Sequence, residues 1–418
     1  MKTEAVRLYG EMDLRLEEFE LPAMKEDEIL ARVVSDSLCA SSYKALKQGA
    51  AHKRVPEDVA ENPVIIGHEF CGEILAVGAK WADKFQAGER FIIQPALNYK
   101  GSLAAPGYSY PYIGGDATLV VIPNEVMEMD CLIPYDGSSF FAGSMTEPYS
   151  CVIGTFHAMY HTKNGSYEHH MGIREGGCML MLAGNGPMGQ AAIDYILHCD
   201  RRPSLLVVTG RRQNQLDRLA ELLSPADAEA NGVKLVYFNT SAAEDVKEDL
   251  LALTDGKGYD DVLVFTPVSS MVELGDELLA QDGCLNFFSG PGDKNFKAQM
   301  NFYNVHYAST HLVGTSGGNT DDMREAVAMM NAGRINPSIL VSHIGGLDAV
   351  PDATRHLPEL PGSKKLIYTG IHMPLTAVAD FEALGAADPF FAELDRLCKA
   401  NNGLWSAEAE RYLLENRA

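Results

Sequence analysis

The sequence predicts an α/β protein built from a β-rich domain and a doubly wound parallel sheet. Three observations carry that expectation. At 418 residues the chain exceeds what one compact core organises, so two domains are expected. From Met1 to about Pro148, short β-type runs (AVRLYG, EILARVVS, PVIIGHEFCGEILAVG, ERFIIQPA, ATLVVIP) are separated by Gly, Pro and Asp, the texture of a small antiparallel barrel or sandwich. From about Tyr149 to Thr310, strands and helices alternate instead, as a parallel sheet requires.

In order along the chain, the boundary falls in or near TEPYSCVIGTFHAM, which sets residues 1–150 apart from 151–310. CMLMLAG, SLLVVTG, KLVYF, DVLVFTP and GCLNFFSG read as buried strands of the second domain, and QNQLDRLAELL and SMVELGDELLA as amphipathic helices between them. Residues 311–418 carry VGTSGGNTDDMREAVAMMNAG, then KKLIYTGIHM, then a helical tail from about Ala377 to Ala418. That tail is too short for a core of its own, so 311–418 is expected to return to the first domain, or to a neighbouring subunit.

Hydrophobic residues make up 46% and charged residues 22%, ordinary for a globular chain. With 34 basic and 57 acidic residues the net charge is -23, which argues against a nucleic-acid or anionic-membrane partner. The eight cysteines show no paired spacing, so reduced thiols and a cytoplasmic setting are expected. The first residues have no secretory pattern, and no uncharged apolar stretch is long enough to span a bilayer.

The motif GNGPMG sits directly after the apolar run MLMLA and opens a helix. In that context Gly184 allows the tight turn, Gly186 lets backbone approach a pyrophosphate and Gly189 allows close helix packing, with Pro187 and Met188 in the first turn. A dinucleotide is therefore the expected cofactor. The next strand ends in Thr209, Gly210, Arg211 and Arg212, with no carboxylate before Asp217. Two guanidinium groups suit a 2′-phosphate, so NADP(H) is expected over NAD(H). If both arginines are only a solvated loop, cofactor choice is loose.

His68 and Glu69 form a polar pair emerging from the apolar run VIIGHEFCGEI, costly to bury unless partnered. Each residue alone also has a plain reading: His68 as a satisfied core histidine, Cys39 as a buried thiol. Composition and spacing do not join them into one site.

Resemblance does. GHE, then TEP, then the glycine motif resemble the zinc-dependent medium-chain dehydrogenase/reductase family, which includes alcohol, sorbitol and threonine dehydrogenases. The resemblance covers about Glu4 to Thr369 and implies a GroES-like catalytic domain (1–150 with 311–418) and a Rossmann domain (151–310). It implies Cys39 and His68 as zinc ligands, and Glu69 and Glu147 as glutamates that exchange with water at the metal. Two departures stand out. No cysteine lies between Gln94 and Asp130, where many relatives hold a structural zinc, so one catalytic zinc per chain is expected. Ser41 matches the first hydroxyl of the family's proton relay, but Lys44 replaces its relay histidine, so Lys44 either passes the proton or holds substrate.

The strings NFYNVHY, GTSGGNTDDM and KKLIYTGIHMPLTAVADF resemble the L-sorbose 1-phosphate reductase branch. That implies hydride transfer between NADP(H) and a ketose phosphate/hexitol phosphate pair, such as L-sorbose 1-phosphate to glucitol 6-phosphate. Lys44, Lys47, His52, Lys53 and Arg54 form a basic cluster after the first ligand, suited to anion capture or equally to a solvated loop. The alternatives are a dehydrogenase of a neutral polyol, secondary alcohol or amino alcohol, and a non-catalytic dinucleotide binder. Relatives imply a homodimer or homotetramer.

Overall fold

The computed structural model describes residues 1–163 and 165–417; Ala418, the last residue of the expected tail, lies outside them. The chain forms two compact units, Met1–Glu147 with Met323–Ala418, and Pro148–Asp322.

In the first unit, an eight-stranded sheet runs in the order Thr376–Ala377, Val341–Gly346, Lys364–Tyr368, Ile29–Leu38, Cys71–Val77, Arg90–Ile93, Leu132–Pro134, with Leu119–Ile122 also paired to Ile29–Leu38. All pairings are antiparallel except Val341–Gly346 with Lys364–Tyr368. That parallel pair needs a crossover, which includes the helix Val350–Arg355. A smaller sheet joins Asp13–Glu20, Lys2–Gly10 and Val64–Ile65.

The strand Ile29–Leu38 runs between two cores. Ile29, Ala31 and Val33 join Phe70, Phe91 and Ile93 in one cluster. Leu38 joins Ala45, Leu46, Ile66 and Tyr108 in the other. Its second half is therefore buried on both faces, Ser35, Asp36 and Ser37 included. The run PVIIGHEFCGEILAVG is not one strand: it breaks between Ile65 and Cys71, where Gly67 adopts φ +91°, a conformation that disfavours any side chain. His68 and Glu69 lie in that break.

The tail closes this unit rather than extending from it. Trp405 is fully buried and its Nε1 donates to the Tyr368 hydroxyl at 2.9 Å. The Glu410 carboxylate, on the helix Ala407–Arg417, accepts the N–H groups of Phe140 and Phe141, both at 2.7 Å, and the Tyr368 hydroxyl at 2.8 Å. Those two N–H groups open the helix Phe140–Ala158, so Glu410 supplies the anionic cap that its first turn lacks. This same helix carries Glu147.

In the second unit, six parallel strands run in the order Lys234–Asn239, Leu205–Gly210, Cys178–Leu182, Tyr259–Val264, Leu279–Phe287, His311–Gly314. The first strand in sequence, Cys178–Leu182, lies between the second and the fourth, so the order reverses beside it. That is the topological switch point at which doubly wound folds bind ligands. The unit extends to Asp322, beyond the expected 310, because His311–Gly314 pairs with Leu279–Phe287 as the edge strand. The helix expected in SMVELGDELLA stops at Glu277, and Leu279 already belongs to the next strand. Among the described residues no helix is long and apolar enough to cross a membrane.

Candidate metal centre and cofactor turn

Cys39 follows the last residue of the strand Ile29–Leu38 and caps the helix Ala40–Gln48, its Sγ accepting the Ser41 N–H at 3.5 Å. His68 and Glu69 reach the same place from the break at Gly67. One ligand atom from each of Cys39, His68 and Glu69 lies within 4.8 Å of the others. Thiol, imidazole and carboxylate form a donor set suited to zinc.

Burial sets the protonation of the set. The His68 imidazole is pushed down to about 4, mainly by burial, so it is neutral and able to donate a lone pair. Burial, then the charge of Glu69, pushes the Cys39 thiol up to about 12, a burden that a divalent cation would relieve. Burial alone would also raise Glu69, but the ammonium of Lys364 with His68 and Ser37 outweighs it and holds the carboxylate below its usual value.

Lys364 is the main residue that sequence reasoning missed. Its Nζ donates to both carboxylate oxygens of Glu69, at 2.5 and 2.6 Å, and Ser37 Oγ donates to one of them. Lys364 and Glu69 are 6% and 1% exposed, so this is a buried ion pair. The register explains it: Leu38 faces Lys365 across the antiparallel pair, which places Lys364 beside the end of the strand that delivers Cys39. Asp36 Oδ1 accepts the Glu69 N–H at 3.0 Å and so fixes the backbone of the ligand pair. Burial, with Asp116 next, pushes the Asp36 carboxyl well above the usual range.

Tyr108 is the second residue missed. It lies in the cysteine-free stretch between Gln94 and Asp130, where nothing in the sequence marks it out. Its hydroxyl is 3.1 Å from His68 Nε2, while Ser42 Oγ is 3.3 Å from His68 Nδ1. Burial, then Cys39 and Glu147, raise the Tyr108 hydroxyl far above its normal value, and a hydrogen bond with Ser41 opposes them. Lys44 is half-buried and acts electrostatically on His52, which burial with Lys53, Arg54 and Lys44 pushes down to about 4. Glu147 is outside the three-residue group, yet its charge acts on Cys39, Tyr108 and Lys364.

In the second unit, Gly186 caps the helix Pro187–His198 without any side-chain bond to its first turn, which leaves first-turn N–H groups for an anion. A Cβ on Gly189 would stand 1.9 Å from the Gly184 carbonyl oxygen, so only glycine permits that approach. A Cβ on Gly186 would meet nothing within 4 Å, leaving open space beside the turn. Pro187 and Met188 are half-buried in the first turn. Thr209 is buried and its Oγ1 accepts the Ala183 N–H at 2.9 Å, tying the turn to the neighbouring strand. Arg211 and Arg212 are exposed just beyond that strand.

Residues 25–130 match the alcohol dehydrogenase GroES-like domain family, and residues 187–332 the zinc-binding dehydrogenase family. The chain is 54% identical over 412 residues to L-sorbose 1-phosphate reductase of Klebsiella pneumoniae, covering 99% of this chain and 97% of that protein. It is 48% identical over 414 residues to mannitol-1-phosphate 5-dehydrogenase of Aliivibrio fischeri, covering 99% and 98%. A solved structure described as a zinc-binding dehydrogenase of Sinorhizobium meliloti 1021, bound to NADP, shares the fold with a TM-score of 0.70 and 19% identity, over 88% of this chain and 100% of that one. The GroES-like unit, the Rossmann unit and full-length identity of this degree lead to one conclusion: the chain belongs to the zinc-dependent alcohol and polyol dehydrogenases of the medium-chain family, and is an oxidoreductase.

Proposed function

We propose that this enzyme transfers hydride between NADP(H) and a ketose phosphate/hexitol phosphate pair, such as L-sorbose 1-phosphate and glucitol 6-phosphate, at one catalytic zinc per chain. The observation that carries the reading is the convergence of Cys39, His68 and Glu69 in a chain half-identical to two enzymes named for phosphorylated hexoses or hexitols.

Cys39 and neutral His68 would hold the metal, with Glu69 and Glu147 the carboxylates that would exchange at it. Zinc, when bound, supplies a Lewis acid that polarises the substrate carbonyl and stabilises the developing alkoxide. Lys364 keeps Glu69 ionised and fixes its position. Ser41, in the first turn of the helix that Cys39 caps, hands a proton to the substrate oxygen. Gly184, Gly186, Pro187, Met188 and Gly189 receive the pyrophosphate, Thr209 braces that turn, and Arg211 and Arg212 select the 2′-phosphate.

The test is oxidation of NADPH and NADH by metal-quantified enzyme against ketose phosphates and the corresponding free sugars. Turnover of phosphorylated ketoses with NADPH is expected. Turnover only of neutral polyols or ketones would remove the sugar-phosphate assignment and leave the family unchanged.

A further inference from the structure

We propose that the substrate's phosphate is held by Arg54, Lys53 and His52 beside Tyr108, so that Tyr108 joins the phosphate subsite to the metal locus. This rests on the sugar-phosphate reading above.

Three observations point there. The first is charge. Some cations of this unit are paired with acids, as in Lys80 with Glu128, Lys84 with Asp130 and Arg32 with Glu73, and others donate to carbonyls, as Lys365 and Arg90 do. Among the described residues, no carboxylate stands within 4.0 Å of the cationic groups of Lys53 or Arg54, in a chain of net charge -23. A local positive field on an acidic protein is a place where an anion is attracted. The same field helps push His52 towards its neutral form, and a phosphate dianion would reverse that contribution.

The second is geometry. Tyr108 has its hydroxyl 3.1 Å from His68 Nε2, and its ring is packed by others: the His52 ring stacks at 5.8 Å and the Arg54 guanidinium carbon sits 5.8 Å from the ring centroid. One aromatic side chain therefore lies between the metal ligand and the cations.

The third is preorganisation. Arg54 Nη1 donates to the Leu103 carbonyl at 3.0 Å and the Arg54 carbonyl accepts from Ser109 Oγ at 2.6 Å. The guanidinium is thus held in place, with donors remaining for a phosphate.

The test compares kcat/KM for L-sorbose 1-phosphate and fructose 6-phosphate with kcat/KM for L-sorbose and fructose, in the zinc-loaded wild type, Arg54→Gln, Lys53→Gln and a control, Lys84→Gln. The proposal expects the phosphorylated-to-free ratio to fall about ten- to hundredfold in Arg54→Gln, through KM, and less in Lys53→Gln. The control keeps the wild-type ratio. Because Arg54 also holds a loop, Arg54→Lys serves as the second probe: it keeps the charge and should recover part of the ratio. Competitive inhibition by inorganic phosphate should weaken in parallel. A wild type that favours phosphorylated ketoses while Arg54→Gln and Lys53→Gln leave that preference intact overturns this subsite and spares the sugar-phosphate reading. A wild type with no such preference overturns that reading, and the subsite with it.

Discussion

The two candidate sites of this enzyme are built in opposite ways. The metal locus is closed and electrically balanced: Glu69, 1% exposed, is paired with Lys364, 6% exposed, and both carboxylate oxygens are engaged. The cofactor turn is open: Gly186 faces empty space, the helix behind it has no side-chain cap, and Arg211 and Arg212 project into solvent. A catalytic metal needs donors held rigid in a low dielectric before substrate arrives. A dinucleotide that must enter and leave is served by exposed backbone donors instead.

The largest effect should come from breaking the closed site at its ligands. Cys39→Ala or His68→Ala should remove zinc and lower turnover about a thousandfold, read by metal analysis beside the NADPH assay. Full activity in zinc-free Cys39→Ala protein would sink the metal mechanism.

Next is the pair behind the ligands. Lys364→Met strands a buried carboxylate and should cost about 3–5 kcal/mol in urea unfolding, with Lys364→Arg recovering part. A change below about 1 kcal/mol would mean that the charge of Glu69 is balanced elsewhere.

The open site should separate stability from binding. Gly189→Ala drives a Cβ into the Gly184 carbonyl and should destabilise by about 1–3 kcal/mol. Gly186→Ala should keep its melting temperature and yet weaken NADPH binding, measured by fluorescence titration. Equal losses of stability in the two variants would contradict the open and closed packing of these glycines.

The smallest effect is expected at the surface. Arg211→Gln with Arg212→Gln should raise the KM for NADPH about tenfold and leave that for NADH nearly unchanged. Equal changes for both cofactors would refute the 2′-phosphate assignment.

The difference between the sites also decided how far each was legible. The glycine turn is local: strand, turn and helix are consecutive in GNGPMG and its flanks, and each glycine has a steric reason readable from the string. The metal locus is not local. Cys39 and His68 read singly as a buried thiol and a core histidine, and resemblance to a family joined them. Lys364 lies inside KKLIY, a string that resembles one branch of the family, yet its partner Glu69 lies 295 residues earlier. Tyr108 carries no local mark at all, since an aromatic in a loop of glycines and alanines predicts nothing about which histidine it meets. Glu410, in a tail whose role the sequence left open, caps a helix that begins 270 residues before it.

By itself, then, the sequence determined what short-range physics can encode: the change from β texture to strand-helix alternation, the glycine turn, the acidic composition with one basic cluster, and the residue types able to bind zinc. Tertiary structure alone decided which of those residues meet. Antiparallel register set Lys364 against Glu69, the break at Gly67 turned His68 and Glu69 towards Cys39, and the tail fixed the helix bearing Glu147. The pairings of Glu69 with Lys364 and of Glu410 with the helix start are stable because those buried charges found partners across the core, a condition satisfied in three dimensions, not along the chain.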